Sequence, residues 1–217
     1  MSLAAKRIIV SAGPTFEDID PARFIGNRSS GKMGFAIAAE AARRGARVVL
    51  VAGPVQLPTP EGVARIDVRS AADLLAAVMG ALPADVYVGA AAVADFTPGA
   101  FSETKLKKTP GQEGLVLELV RTRDVLADVA AHADRPGLVV GFAAETHEVE
   151  RHARGKLEAK RVDMICANRV GQPGSGFESD DNALVVYWPG GEAAIGPAPK
   201  PAVAAALLDL IENRLRT

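Results

Sequence analysis

A single cysteine, Cys166, stands among 217 residues. One thiol cannot close an internal disulfide, so no disulfide framework holds this fold, and the usage fits a reducing cytosol. No apolar run approaches the roughly 18 residues that cross a bilayer, and no basic-then-apolar leader opens the chain. The expected location is therefore cytoplasmic, with no membrane partner. Net charge is only −1. That gives no overall attraction to nucleic acid or to an anionic surface. Metal motifs are equally scarce. His147-Glu148 starts an H-E-x-x-H signature, but position 151 is Arg151. His132 and His152 have no cysteine or histidine partner at metal spacing, so protein-ligated zinc is not expected. Cys166 lacks a Cys–His activation pattern and reads as a buried core residue.

Familiar nucleotide signatures are missing too. No G-x-G-x-x-G follows the first strand. Gly26-x-x-x-x-Gly31-Lys32 meets most of the P-loop pattern, but Met33 stands where Ser or Thr would hold magnesium. The strand before it ends near Ser11, and a loop rich in Pro, Asp and Glu intervenes. The Tyr-x-x-x-Lys pair of short-chain reductases fails twice: Tyr87 is followed by Ala91 and Tyr187 by Gly191.

What remains is rich in alternation. Hydrophobic residues make up 48% of the chain, enough for a sizeable core, and no internal repeat or low-complexity linker appears. The expectation is one domain, 1–217. Strands are predicted at Arg7–Ser11, Arg47–Ala52, Val63–Val68, Asp85–Ala92, Leu115–Leu119, Leu138–Phe142 and Val162–Ala167. Helices are predicted from Gly31 to Arg44, after a Ser70 cap, after Arg123-Asp124, from Ala143-Ala144-Glu145-Thr146 onward, and from Pro201. Phe16–Ile25 reads as a long loop, Thr97–Gly114 as a mobile excursion and Gly171–Asp181 as a loop. Ala183–Trp188 and Glu192–Ile195 around Pro189-Gly190-Gly191 read as an antiparallel hairpin. The fold class is α/β: a doubly wound, mainly parallel, Rossmann-like sheet with a small antiparallel hairpin excursion.

Ligands of such sheets sit beyond the carboxyl ends of the strands. The unusual residues fall there: Gly13, Asp95, Phe142 to Glu145, and Asn168. The stretch Arg23 to Gly34 is dense in donors, small residues and positive charge. Its Ser29-Ser30-Gly31 turn opens a helix, a ready site for phosphate or carboxylate; a polar loop with a good N-cap is the plain alternative. Val149, Ala153, Lys156 and Lys160 share one helix face. The two lysines read either as a solvated face or as a cleft-facing pair reaching a polyphosphate. Lys105 reads either as solvated or as part of a loop closing over phosphates. Asp95 caps a turn or binds a ribose hydroxyl. Trp188 reads as packing.

Taken in order, these residues resemble the phosphopantothenoylcysteine synthetase family of coenzyme A biosynthesis, in its bacterial CTP-dependent form. The resemblance rests on Ser11-Ala12-Gly13-Pro14-Thr15, Ile19-Asp20-Pro21, Asn27-Arg28-Ser29-Ser30-Gly31-Lys32-Met33-Gly34, Ala90 to Asp95, Lys105-Leu106-Lys107-Lys108, Gly141-Phe142-Ala143-Ala144-Glu145-Thr146, and Lys156 to Lys160 with Ala167-Asn168. It implies a ligase. The carboxylate of 4′-phosphopantothenate attacks the α-phosphate of CTP, and L-cysteine then displaces CMP from the acyl-cytidylate. It implies Mg2+ held mainly by the nucleotide phosphates, with no protein ligands assigned. By matching positions it assigns Asn27, Lys105 and Arg23 to catalysis. It assigns Gly13, Ser29, Ser30, Gly31, Ala91, Ala92, Asp95, Thr122, Arg123, Asp124, Val125, Phe142, Lys156 and Lys160 to nucleotide binding. Thr122-Arg123 departs from the Asn-Pro common in the family. The family also implies a homodimer, with the late hairpin and its neighbouring loop as candidate contacts. Many relatives carry a flavin-dependent decarboxylase half that is absent here. The alternatives from other classes are an NAD(P)-dependent Rossmann-fold reductase and a non-catalytic nucleotide-binding protein.

Overall fold

The computed structural model describes residues 2–108, 110–111, 113–145, 147–169 and 179–215. Its centre is an eight-stranded sheet in the order β12-β11-β10-β9-β6-β1-β4-β5. In chain order these are β1 (Arg7–Ala12), β4 (Arg47–Ala52), β5 (Val63–Asp67), β6 (Val86–Gly89), β9 (Leu138–Glu145), β10 (Met164–Arg169), β11 (Asp181–Trp188) and β12 (Gly191–Pro199). β10 through β5 run parallel, and β11–β12 add an antiparallel edge. The late hairpin is the antiparallel addition expected from the sequence, and it joins the main sheet as its edge. Its edge strand is backed by the last helix, α5 (Lys200–Arg214).

Residues alternate between the two faces of the sheet, as period-two geometry requires. Ile8, Val10, Val86, Val88, Val140, Met164 and Cys166 join α1 (Lys32–Arg43) and α5 in one buried cluster. Ile9, Tyr87, Val139, Ile165 and Ala167 join α2 (Ala71–Gly80), α3 (Val125–Ala130) and α4 (Val149–Ala159) in the other. Both faces are covered, which explains the continuous apolar runs of these strands. Ser70 begins α2 with a full capping box through Asp73. Arg44, just past α1, ties the two helices of one face together. It donates to Asp209 at 2.7 Å and to the Ala205 carbonyl at 2.9 Å, and pairs with Glu40 at 2.9 Å. Trp188 packs against the first cluster, and Cys166 is fully buried in it.

Several predicted elements need correction. Phe16–Ile25 is not a loop but a ribbon, β2 (Phe16–Asp20) paired antiparallel with β3 (Arg23–Gly26). Its acids looked like loop residues because their partners are remote in sequence. Glu17 is buried and accepts the Ala71 N–H at 2.8 Å, and Asp18 pairs with Arg69. A second ribbon pairs β7 (Phe96–Pro98) with β8 (Leu119–Arg121). The excursion after the fourth strand thus starts as a strand, and the strand predicted at Leu115–Leu119 is displaced toward Arg121. The strand from Asp85 ends at Gly89, not Ala92: Ala90 and Ala92 donate instead to the carbonyls of Ser11 and Gly13. Ala143–Glu145 continues β9 rather than opening a helix, because each residue pairs with the parallel partner β10. Thr146 and residues 171–178 of the predicted 171–181 loop lie outside the described residues.

Candidate functional site

At the carboxyl ends of β1, β6 and β9 lies a cleft of about 750 Å³. Its floor is Ser11, Tyr87, Gly89 and Ala90. The Ser11 hydroxyl and the Tyr87 phenol are hydrogen-bonded at 3.0 Å. Burial, together with the nearby Asp124 charge, pushes the Tyr87 hydroxyl up to about 12 against the lowering effect of the Ser11 bond. The phenol therefore stays protonated, as a fixed dipole below the cleft.

One wall is the turn into α1. Gly31 has φ 75° at the cap position and makes no side-chain cap bond of its own. The first-turn residues Lys32, Met33 and Gly34 line the cleft, at the positive end of the helix dipole. Close packing sets their position. A Cβ on Gly34 would lie 2.5 Å from the Ala12 Cβ, so α1 can approach β1 this closely only with glycine there. Gly13, at φ 82°, lies beneath this turn: a Cβ on Gly31 would come 3.4 Å from the Gly13 Cα. Asn27 reaches across and donates from Nδ2 to the Ala92 carbonyl at 3.0 Å.

The second wall is Ala91–Asp95. The Thr15 hydroxyl accepts the Ala94 N–H at 2.9 Å, which pins this small-residue run beside β1. Thr122 secures its other side. The Thr122 hydroxyl donates to the Ala94 carbonyl at 2.6 Å, and its N–H donates to the Asp95 carbonyl at 3.0 Å. Asp95 is exposed and lines the cleft.

The third wall is cationic. Ala153 is fully buried, and the same stripe of α4 carries Lys156 and, just past the helix, Lys160 into the cleft. Each ammonium rests on a carboxylate. Lys156 Nζ lies 2.7 Å from Glu145, and Lys160 Nζ lies 2.8 Å from Asp124. Asp124 also caps α3 by accepting the Ala127 N–H at 3.1 Å. Burial works against both carboxylates, yet the lysine hydrogen bonds and charges outweigh it, and both acids end below their ordinary range. They are ionised at neutral pH, so each lysine is held by a full countercharge.

The cleft thus gathers Asn27, Ser29, Ser30, Gly31, Ala91, Ala92, Asp95, Thr122, Arg123, Asp124, Val125, Phe142, Lys156 and Lys160. These come from segments spread over more than half the chain. Arg123 lines the rim, with its guanidinium 2.9 Å from Asp128. Arg23 and Lys105 are not among the cleft-lining residues. Arg23 is tied to the buried Asp20 and donates to the Leu106 carbonyl at 2.9 Å, while Asp20 accepts the Leu106 N–H at 3.1 Å. The segment bearing Lys105 is therefore docked on the β2–β3 ribbon, with Lys105 itself exposed.

Sequence reasoning missed Lys200 and gave Lys32 no role beyond its place in the Arg23–Gly34 stretch; both line the cleft, as does Asn182. Lys200 is buried and donates to the carbonyls of Ser179 and Asp181. Burial and the neighbouring Lys32 lower its pKa. A signal was present: a lysine opening a helix faces the unfavourable end of the dipole, so another contact must hold it there.

The family of DNA/pantothenate metabolism flavoprotein C-terminal domains matches residues 3–215. Among curated proteins, the coenzyme A biosynthesis bifunctional protein CoaBC of Vibrio parahaemolyticus is 50% identical over 208 residues, covering 95% of this chain and 52% of that protein. CoaBC of Escherichia coli K12 is 49% identical over 210 residues, with 95% and 52% covered. The chain spans about half the length of the curated relatives it matches. A crystal structure of the C-terminal domain of CoaBC superposes with a TM-score of 0.83 at 39% identity, covering 100% of this chain and 99% of that one. A DNA/pantothenate metabolism flavoprotein from Streptococcus pneumoniae shares the fold, with a TM-score of 0.82 at 22% identity over 97% of this chain and 100% of the other. The family match over residues 3–215, the relatives near 50% identity and the superposable crystal structure agree: the chain belongs to the family of DNA/pantothenate metabolism flavoprotein C-terminal domains.

Proposed function

We propose that the chain is a phosphopantothenate–cysteine ligase that uses CTP. One observation carries this reading. A helix N-terminus and two lysines on a different helix face each other across one cleft floored by small residues. That arrangement suits a nucleoside polyphosphate: first-turn N–H groups take phosphate oxygens, and ammonium groups take the remaining charge. The Ala91–Ala92 backbone would lie along the base, and Asp95 would take a ribose hydroxyl. Ser29, Ser30 and Gly31 would cradle the phosphates, Gly13 would leave room for that turn, and Phe142 and Val125 would close the apolar side.

A carboxylate acylates nothing until its oxygen becomes a good leaving group. In the first step the carboxylate of 4′-phosphopantothenate would attack the α-phosphate of CTP and release pyrophosphate, with Lys156, Lys160 and Lys105 balancing the charge that develops. In the second step the cysteine amine would attack the acyl carbon, the C–N bond would form and CMP would depart. Asn27 would donate a hydrogen bond to the carbonyl oxygen as it gains charge, with Arg23 steering the acid substrate. Mg2+ fits the donor set as a phosphate-bound ion. The nucleotide phosphates would hold the ion, and it would offset triphosphate charge.

We also propose a homodimer. Of the eight exposed large apolar side chains among the described residues, seven lie on the two ribbons or in the segment joining β7 to β8: Phe24, Phe96, Phe101, Leu115, Val116, Leu119 and Val120. This face, rather than the β11–β12 hairpin, is the one for a second copy. The dimer is the natural setting for Arg23 and Lys105, which lie outside the cleft of their own chain. A single synthetase domain accounts for the chain, and a cytoplasmic location fits its substrates. The test is incubation with CTP, 4′-phosphopantothenate and cysteine. The expected result is pyrophosphate and CMP release that requires phosphopantothenate; nucleotide binding without turnover would overturn the ligase reading. Replacing CTP by ATP in the same assay checks the base preference, and sedimentation checks the dimer.

A further inference from the structure

At the other end of α4, away from the lysine wall, the structure gathers donors of a different kind. His147, Glu148 and His152 place one ligand atom each within 4.8 Å of one another. The imidazole rings of His147 and His152 meet edge to face, 5.2 Å between centroids and 81° between planes. A spacing of five residues would not bring two side chains together on a regular helix. Here it does, because Glu148 adopts φ 45° at the cap position and folds His147 back over the first turn. The zinc signature H-E-x-x-H looks for two histidines four apart on a continuous helix, so it passes over this arrangement.

The surroundings of His152 matter more than the count of donors. Its Nδ1 lies 3.1 Å from Glu145 Oε2, and its Nε2 faces Glu148 Oε2 at 3.9 Å. Nδ1–H donated to a carboxylate leaves the lone pair on Nε2, directed at the cluster. This carboxylate–histidine pairing is the support that metal-binding histidines generally have. Glu145 is itself fixed by Lys156 at 2.7 Å. Glu148 Oε1 pairs with Arg151 at 3.1 Å, leaving Oε2 on the histidine side.

We propose that His147, Glu148 and His152 form a binding site for a borderline divalent transition ion, Zn2+ or Ni2+ in class, with water in the remaining position. Two imidazoles and a carboxylate suit such ions and not Mg2+ or Ca2+. Donors around a tetrahedral zinc stand about 3.4 Å apart for bonds of about 2.1 Å. His147 and Glu148 are exposed, so rotation of their side chains closes the difference. The site lies beside the cleft, and no residue of it lines the cleft.

The test uses protein carrying no histidine tag. Zn2+ is titrated against a chromophoric chelator, and Co2+ serves as the optical and paramagnetic probe. The expected result is one equivalent bound in the presence of excess Mg2+. His152→Gln and His147→Gln should each weaken it more than tenfold, and Glu145→Gln by about tenfold through loss of the orienting bond. His132→Gln, remote in sequence, should leave it unchanged. In wild-type protein, Co2+ should broaden the imidazole proton signals of His147 and His152 and spare His132, a readout that needs no variant to fold. Wild-type affinity in the His147→Gln/His152→Gln double variant, or broadening at His132 alone, would overturn the assignment.

Discussion

Replacing Gly34 by alanine sets two effects of opposite sign against each other. Alanine is the better helix former, worth at most about 1 kcal/mol in α1. The added methyl, however, would stand 2.5 Å from the Ala12 Cβ and 3.2 Å from its Cα. Carbon atoms settle at about 3.5–4.0 Å, so the helix start must retreat by roughly 1 Å. Both atoms it meets belong to a short residue on a central strand, and neither can swing aside. Overpacking of this kind costs about 1–3 kcal/mol, so with the helix gain set against it the net destabilisation is about 0–2 kcal/mol. For a domain of this size that lowers the melting temperature by up to roughly 8 °C. The functional loss should be larger than the stability loss. The retreat carries Ser29–Gly31 and the first-turn N–H groups away from the lysine wall, and a displacement of about 1 Å can cost on the order of 100-fold in rate. Thermal unfolding and nucleotide titration on the same sample separate the two readouts. A variant that melts higher than wild type and binds CTP equally well would refute the claim that this close contact positions the anion site.

Four further outcomes are expected. Lys160→Met should weaken nucleotide binding by about 10- to 100-fold, the worth of one charge-assisted hydrogen bond, with equilibrium dialysis as the check. Asn27→Asp should still consume CTP and accumulate acyl-cytidylate in a quenched time course; a normal rate of amide formation would remove Asn27 from the second step. Lys105→Gln should slow formation of the cytidylate, and an unchanged burst of pyrophosphate would show that its exposed position in the chain is its only state. Glu40→Gln probes stability. Arg43 first, then Arg44, hold the Glu40 carboxyl at about 2 against its ordinary 4.5, with burial opposing them. A depressed carboxyl stabilises the fold above its unfolded pKa and loses that contribution as pH falls toward its folded one. The variant should therefore be less stable than wild type by about 1–2 kcal/mol at pH 7, after allowing for the solvent-exposed Arg43, and the gap should close between pH 4.5 and about 2 in denaturant titrations.

The parallel core was legible because its signals are local. Val48 to Val51 announce a strand covered on both sides, and Ser70 with Asp73 announces a helix start within four residues. Lys156 and Lys160 were legible as a face but not as a wall, because facing inward depends on Ala153 sinking against β10. The β2–β3 ribbon was not legible at all. Glu17 and Asp18 look solvated in a sequence window, yet they answer to Ala71 and Arg69, which lie about 50 positions away, and Asp20 adds Leu106, about 85 positions away, to its local partner Arg23. Glu145 failed for a related reason: its helical surroundings in sequence lose to the ladder it makes opposite Arg169. The histidine cluster escaped because a left-handed residue at Glu148 breaks the periodicity on which motif spacing relies.

Lys156 and Lys160 each lean on an acid. On the proposed nucleotide reading, an incoming polyanion would have to win each ammonium from a carboxylate already in place, which would temper affinity but spare the cost of freezing two long side chains at the moment of capture. The same acids stand ready when the anion leaves: as each oxygen lets go, a carboxylate at contact distance takes back its cation. A pocket with the lysines and without Glu145 and Asp124 would grip harder and empty more slowly, so on the proposed reading the two acids trade some strength of hold for quicker renewal.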